Sequence, residues 1–141
     1  MIIDYNTNQN YPLSPNDRKY MVISAYNGDT ITIKARCYLN DMPVNYDNSN
    51  LEFVLLDQRF SLTELWRGKW RDGIEEVEAH PGLIIVTIPD SISEALRRGS
   101  YIFSLRVADK LNEFKYTAFE GMLQIEYAPT SDTHSIPYKE A

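Results

Sequence analysis

The chain has 141 residues and a formal net charge of −6, with 14 lysines and arginines against 20 acidic residues. This length fits one domain that can bury a core without disulfides or a metal ion. The acidic balance argues against nucleic acid as the main partner, because binding to phosphates requires clustered Lys and Arg. We therefore expect a single domain that does not bind nucleic acid.

The beginning of the chain and its single cysteine indicate the cellular compartment in which the protein is made. Cys37 is the only cysteine, so no internal disulfide can form. The first residues lack the basic and apolar regions of a signal peptide, and no stretch reaches the ~20 apolar residues of a membrane helix. We expect synthesis in a reducing cytoplasm and no membrane association.

Residues 1–19 are rich in Asn and Pro and have neither helical nor strand periodicity. This composition predicts an extended N-terminal arm. The arm also carries apolar side chains that disordered tails usually avoid, namely Tyr5, Tyr11 and Leu13. These side chains predict contacts, and two alternatives are open: the arm folds back over its own body, or it docks on a neighbouring subunit.

Residues 20–127 form the predicted body of the protein. Within residues 30–39 the odd positions are apolar and the even positions mostly polar, which is typical of a strand that buries one face. The pattern places Cys37 among the inward side chains as a small buried hydrophobe. Seven strands are predicted, at residues 20–26, 29–39, 50–57, 74–79, 83–88, 100–109 and 114–127.

Turn and cap signals connect these strands. Asn27-Gly28 is a tight-turn dipeptide and predicts that the first two strands form a hairpin. Asp90 or Ser91 can cap a short helix that runs through Arg97, and Gly99 would end it. Seven strands with one short helical crossover predict an all-β fold, an immunoglobulin-like antiparallel sandwich.

Two of the strands are apolar on both faces, at residues 51–56 and 83–88. A two-layer sandwich that exposes one face of each sheet cannot satisfy such strands alone. The N-terminal arm, residues 58–72 or another copy of the protein could cover the second face. We favour a partner subunit or its arm, because exposed apolar patches usually mark contact surfaces.

Residues 128–141 predict an extended C-terminal tail. Pro129 and Pro137 frame a polar run, so this segment should leave the body without regular structure. Ile136 and Tyr138 nevertheless give the tail apolar side chains. With the apolar residues of the N-terminal arm, they are the predicted protein contacts.

Trp66 and Trp70 flank the one basic aromatic cluster of the chain. The indoles could stack on a sugar or a base with cations between them. The alternative is a loop or edge strand in which both indoles pack inward and the charges stay solvated. The first reading predicts two exposed indoles side by side.

Residue types that carry catalysis or bind metals occur without the required spacing. His80 and His134 lie on separate predicted loops, which argues against a metal site. The run of residues 132–135 contains Asp, His and Ser, but a catalytic triad needs a rigid scaffold that a polar tail lacks. Glu75 and Glu76 belong to a predicted solvated strand face. We expect no cofactor and no metal.

Short motifs follow one another along the body. They read Gly28-Asp29-Thr30, Met42-Pro43-Val44, Leu51-Glu52-Phe53, Ile88-Pro89, Gly99-Ser100-Tyr101-Ile102-Phe103 and Glu120-Gly121-Met122-Leu123-Gln124-Ile125. In this order they resemble the small immunoglobulin-like domains of tailed-bacteriophage virion proteins, over residues 20–127. The chain is similar to the N-terminal domains of upper baseplate proteins and to neck, tail and head-fibre proteins.

The resemblance implies a non-enzymatic virion protein, made in the host cytoplasm, that contacts other virion proteins and further copies of itself. In such a family, domains assemble by sheet contacts and extended arms. No fibre or receptor-binding module follows Tyr127, which favours a connector, fibre-base or decoration role. Two rivals stay open: a carbohydrate-binding module that uses Trp66 and Trp70, and an enzyme whose distant polar residues converge in a pocket.

Overall fold

The computed structural model describes residues 2–7, 20–39, 42–47, 49–57, 63–77, 79–110 and 113–127. These residues form ten strands and one short helix. The strands are β1 (Ile2–Thr7), β2 (Tyr20–Tyr26), β3 (Ile31–Leu39), β4 (Met42–Pro43), β5 (Ser49–Asp57), β6 (Thr63–Trp70), β7 (Gly73–Glu76), β8 (Leu83–Ile88), β9 (Gly99–Asp109) and β10 (Phe114–Glu126). Helix α1 (Asp90–Ala95) lies between β8 and β9.

The ten strands belong to one mixed sheet with the order β1-β3-β8-β7-β6-β5-β9-β10-β2, and β4 pairs with β3. Because β1 contacts β10 from the opposite end of this order, the sheet curls around a single core. The all-β prediction is confirmed. The immunoglobulin-like sandwich is not confirmed, because the two halves of the sheet are joined by the short parallel pairing of β6 with β7.

The core is made by the inward face of each strand. In β3 the odd positions from Ile31 to Cys37 are buried, whereas the even positions from Thr32 to Tyr38 are exposed or half-buried, as the period of two predicts. The rings of Phe53 and Phe103 stack with centroids 5.4 Å apart, and Phe119 meets Phe103 edge-on at 6.2 Å. Neighbouring β5, β9 and β10 are thereby joined through their largest side chains.

The hairpin predicted for β2 and β3 is wrong. The tight turn is present, since the Asp29 N–H donates to the Tyr26 carbonyl at 3.2 Å and Gly28 has φ +87°. However, β2 pairs in parallel with β10, whereas β3 pairs with β1, β4 and β8. Ser93 of α1 holds the turn between them: its hydroxyl accepts from the Gly28 N–H at 3.0 Å and donates to the Tyr26 carbonyl at 3.4 Å.

The predicted helix exists, but its ends differ from the prediction. Pro89 is the N-cap residue and no side chain caps the helix, so neither Asp90 nor Ser91 has the expected role. The helix ends before Leu96, which is extended and buried at 6% exposure. Burial of this leucine stops the helix earlier than Gly99 would, and Gly99 instead begins β9.

Three strands were not among the seven predicted. Strand β6 runs through the Trp66–Trp70 cluster, where a bulge near Leu65 and the glycine at position 68 interrupt the alternation. Strand β4 is a two-residue pairing with β3. Strand β1 lies inside the predicted N-terminal arm and pairs in parallel with β3, from Ile2 opposite Lys34 to Thr7 opposite Leu39. This part of the arm therefore lies on the chain's own sheet.

Candidate interaction surface

Strand β2 is an end strand of the sheet. It pairs with β10 from Tyr20 opposite Glu120 to Tyr26 opposite Glu126, and no other described strand pairs with it. The Asn27 N–H continues this pairing by donating to the Glu126 carbonyl at 2.9 Å. Since main-chain groups of successive strand residues point to opposite sides, Val22 and Ser24 direct their N–H and C=O groups toward the open side.

The seven residues of β2 include none of the charges or prolines that protect many edge strands against pairing. Natural edge strands are blunted by lysines, other charges, prolines or bulges. The seven residues of β2 read Tyr-Met-Val-Ile-Ser-Ala-Tyr, without a charge or a proline. Strand β1, at the other end of the sheet, contains Asp4. The edge of β2 is therefore chemically suited to pair with another strand.

A groove of about 480 Å³ lies between β2 and the beginning of β3. The groove reaches the beginning of β3, where β1 does not pair with β3, since that pairing starts only at Lys34. Ile23 and Ala25 of β2 and Ile31 of β3 line it, and the first two are half-buried. The carboxylates of Asp29 and Glu126 also line the groove, so its lining is mixed, with the apolar part beside the unpaired edge of β2.

An apolar row crosses the outer face of the sheet and ends at this edge. Val22 lies opposite Met122, Met122 opposite Ile102, and Ile102 opposite Leu56. Val22 is 57% exposed, while the other three side chains are half-buried. Tyr26, at the end of β2, is 46% exposed. Of the four large apolar side chains that are exposed among the described residues, Val22 and Tyr26 thus lie on this edge strand, whereas Met42 of β4, at 68%, lies elsewhere.

The outer faces of β5 and β8 are less exposed than a free apolar face would be. Val54 is half-buried, as is Ile85, and Leu83 is buried. Arg67 of β6 lies opposite Val54 and bridges Glu52 at 2.5 Å and Glu64 at 2.6 Å. The sequence suggested the N-terminal arm, residues 58–72 or another copy as the cover of this face. Strand β6, which lies within residues 58–72, covers part of it, because the stem of an arginine can shield apolar surface.

Trp66 and Trp70 both lie on the inward face of β6. The Trp66 ring is 5.9 Å from Phe53, and the Trp70 ring is 5.8 Å from Tyr46, measured between centroids. Both indoles are half-buried. A Cβ at position 68 would come within 2.7 Å of the Trp66 ring, so the glycine there makes room for the indole. Each indole packs against a different part of the core.

Cys37 is a core residue, as the alternation of β3 predicts. It is 1% exposed, and burial raises the pKa of its thiol to about 11, although a hydrogen bond with Tyr46 acts in the opposite direction. The Tyr46 hydroxyl donates to the Gly82 carbonyl at 3.0 Å inside the same cluster. Nucleophilic and metal-binding cysteines act as thiolates, so this environment suits a structural role.

The remaining candidate residues are dispersed. Tyr5 lies in β1 opposite Cys37, and His80 is exposed in the turn before β8. The other candidates lie outside the described residues: Tyr11, Leu13, His134, Ile136 and Tyr138. Within the described ranges, no group of three or more His, Cys, Asp and Glu side chains could hold a metal ion. Among the described residues, no helix is long and apolar enough to cross a membrane.

Sequence reasoning missed the open edge of β2. The signal was present as a seven-residue run without charge or proline, but the same run suits a strand inside a sheet. The turn at residues 27–28 pointed to a hairpin partner, and only the pairing of β2 with β10 leaves the edge open.

Comparisons with known proteins bear on the fold. No protein family model matches the chain, and no curated protein matches its sequence. Among solved structures, the N-terminal domain of phage TP901-1 ORF48 is similar with a TM-score of 0.52 and 11% identity. The similarity covers 89% of this chain and 98% of that domain. At this identity it shows a shared fold.

Two further structures are less similar. CopC from Methylosinus trichosporium OB3b has a TM-score of 0.43 and 14% identity, covering 77% of this chain and 88% of its own. Entomopoxvirus fusolin has a TM-score of 0.42 and 12% identity, covering 88% of this chain and 44% of its own. Both similarities are too weak to assign the fold.

Proposed function

We propose that this chain is a non-enzymatic structural subunit of a tailed-phage virion, an immunoglobulin-like connector, fibre-base or decoration component that binds its neighbours through sheet edges and extended arms. The observation that carries the proposal is the edge of β2 that no described strand pairs with, which lacks charge and proline and borders a partly apolar groove. The similarity to a phage domain over nearly the whole of both chains supports the proposed role in a virion.

The binding mode follows from the chemistry of an open edge. Main-chain hydrogen bonds to an added strand supply affinity, and side chains that fill the adjacent groove supply specificity. Exposed Val22 and Tyr26 enlarge the apolar contact beside the edge. The arms add Tyr11, Leu13, Ile136 and Tyr138 as further contact residues, with other virion proteins and copies of this chain as the partners.

Co-sedimentation with purified particles tests the proposal. Virions from cells that express the full chain with an affinity tag are banded on a density gradient, and the chain is quantified by mass spectrometry. We expect a fixed copy number per particle that survives a second gradient. A chain that stays entirely in the soluble fraction, while intact particles form, would contradict a virion role.

Carbohydrate binding at Trp66 is the second candidate, favoured by one observation. A groove of about 390 Å³ is lined by Trp66 together with Asp72 and Glu75, a combination of ring and carboxylates that suits sugar hydroxyls. Trp70 does not line this groove. A glycan array with the intact chain, and with Asp72→Asn as the matched variant, tests the idea, and the absence of any binding by the intact chain would exclude it.

A further inference from the structure

We propose that the open edge of β2 pairs with β2 of a second copy of this chain, antiparallel and around a two-fold axis. The inference deepens the proposed function, on which it rests, by naming the surface and the partner. The proposed pairing joins two curled sheets edge to edge, so that the β10-β2 pair of one copy continues into the β2-β10 pair of the other.

The positions of the main-chain groups define the register. In an antiparallel pair, the residues that exchange hydrogen bonds must both direct N–H and C=O groups toward the partner strand. Val22 and Ser24 do so in each copy, which places Val22 of one copy opposite Ser24 of the other. This register overlaps all seven residues of β2 and gives about four central hydrogen bonds. Ile23 of each copy then lies on the axis.

The charge of β2 selects a second copy as the occupant. The chain carries a net charge of −6, so most of its surfaces repel an identical surface. A two-fold interface brings the same patch of both copies together, and like charges opposite one another destabilise a sheet. Strand β2 contains no charge and therefore meets itself without this repulsion.

The outer apolar row is also self-complementary across the axis. The row Val22, Met122, Ile102 and Leu56 ends at the most exposed of its members, Val22 at 57%. In the proposed register, Val22 of one copy lies opposite Ser24 of the other, and the two Val22 side chains are diagonal neighbours ~7–8 Å apart on one sheet face. The added strand thus brings the ends of the two rows close together and covers part of each Val22.

The inward side of the added strand fits the groove. Ile23 and Ala25 are half-buried and line the space between β2 and Ile31. A neighbouring strand on the open edge places its own Ile23 beside this lining. The pairing thus gives hydrogen-bond partners to the main-chain groups on the unpaired side of β2. It also covers apolar side chains on both faces of β2, and the two effects together favour a stable added strand.

Disulfide trapping tests the register. On a two-fold axis, two Ile23→Cys residues form a non-hydrogen-bonded antiparallel pair with Cα atoms ~4.5 Å apart, which suits a disulfide. We expect mild oxidation to give a covalent dimer on a non-reducing gel. Ala25→Cys is the matched control, because the two copies of position 25 are four residues apart along the pair. Native Cys37 is buried and should not cross-link.

A charge at the edge tests the interface without engineered thiols. Ser24→Lys introduces two lysines diagonally across the axis, and we expect the dimer dissociation constant to rise about tenfold or more. Thr87→Lys is the matched control, an exposed hydroxyl position on β8 that should leave the dimer unchanged. Light scattering gives the mass, and circular dichroism verifies that both variants are folded.

The outcomes separate this inference from the proposed function. A folded chain that is monomeric at high micromolar concentration, with no Ile23→Cys cross-link, would overturn the β2 pairing even if the chain is found in virions. Equal cross-linking of Ile23→Cys and Ala25→Cys would also overturn it, because the register would be wrong. Conversely, a trapped dimer with no chain in virions leaves the contact intact and removes the virion role.

Discussion

At the scale of single residues, burial of Cys37 and Tyr46 in the core disfavours the ionised form of both side chains. Cys37 is 1% exposed, and its thiol lies with the Tyr46 ring under the turn at Gly82. Burial raises the pKa of Cys37 to about 11 and also raises the pKa of Tyr46, for which the nearby thiol is a further cause. The cluster is therefore more stable when both groups are neutral.

This arrangement predicts a loss of stability at alkaline pH. The pKa of Cys37 in the folded chain is raised above its ordinary value of 9.0. The buried neutral thiol therefore adds its full share to the free energy of unfolding below pH 9, and this share is lost as the pH rises toward 11. Urea unfolding at pH 10.5 should give a free energy of unfolding lower by about 1–2 kcal/mol than at pH 8 from this thiol alone.

The variant Cys37→Ala isolates the contribution of the thiol. Its unfolding free energy should fall less between the two pH values, because the unfolded chain no longer gains from ionising a thiol. The folded native chain should also resist alkylation by iodoacetamide at pH 8. Rapid alkylation without unfolding would show that the thiol is accessible and would contradict its place in the core.

At the scale of elements, the junction of β6 and β7 decides the shape of the sheet. Only two residue pairs join these strands, Lys69 with Gly73 and Trp70 with Ile74. Gly73 has φ +97°, and the Trp66 ring would lie 3.0 Å from a Cβ at this position. The junction therefore requires glycine for its backbone conformation and for close contact with the indole.

The variant Gly73→Ala should destabilise the protein by about 1–3 kcal/mol, through a strained backbone and displacement of the Trp66 ring. Urea unfolding measures the loss, and tryptophan fluorescence should change in the folded state. Thr87→Ala, an exposed position on β8, is the control and should stay within about 0.5 kcal/mol of the native chain. An unchanged midpoint for Gly73→Ala would contradict the assigned packing.

At the scale of the whole molecule, exposed apolar side chains and unpaired main-chain groups occur together at the edge of β2. Val22, Tyr26 and the open side of β2 lie together, and Tyr127 beside them is 57% exposed. The outer face of β5, by contrast, is partly covered by the chain's own Arg67. Contacts with other subunits are therefore expected at the edge rather than on the face of β5.

The proposed contribution of the tail makes a separate prediction. Replacing Ile136 and Tyr138 with Asp should lower the oligomer mass measured by light scattering, because two apolar contacts become charged, while the body remains folded. The control is Ser135→Asp with Thr133→Asp, which adds the same charge without removing an apolar side chain. Equal masses for the native chain and the Ile136→Asp, Tyr138→Asp variant would count against contacts through the tail.

Local patterns in the sequence determined seven of the ten described strands and the placement of Cys37. The alternation of β3 needs only neighbours along the chain, since successive side chains point to opposite faces. The tight turn at residues 27–28 and the helix after Pro89 are also local. The carbohydrate alternative, by contrast, depended on where the indoles face, and a bulge at Leu65 obscured that in the sequence.

Only the tertiary structure decided which strands are neighbours. A turn of the same local form can close a hairpin or join strands that lie apart in a curled sheet, and here it joins β2 to β3 while the Ser93 hydroxyl bonds to the turn. Strand pairing joins residues far apart along the chain, such as Val22 with Met122, so no short segment encodes it. The sequence by itself determined that the chain is an all-β protein with an uncharged β2, whereas the long-range pairing made that strand an open edge.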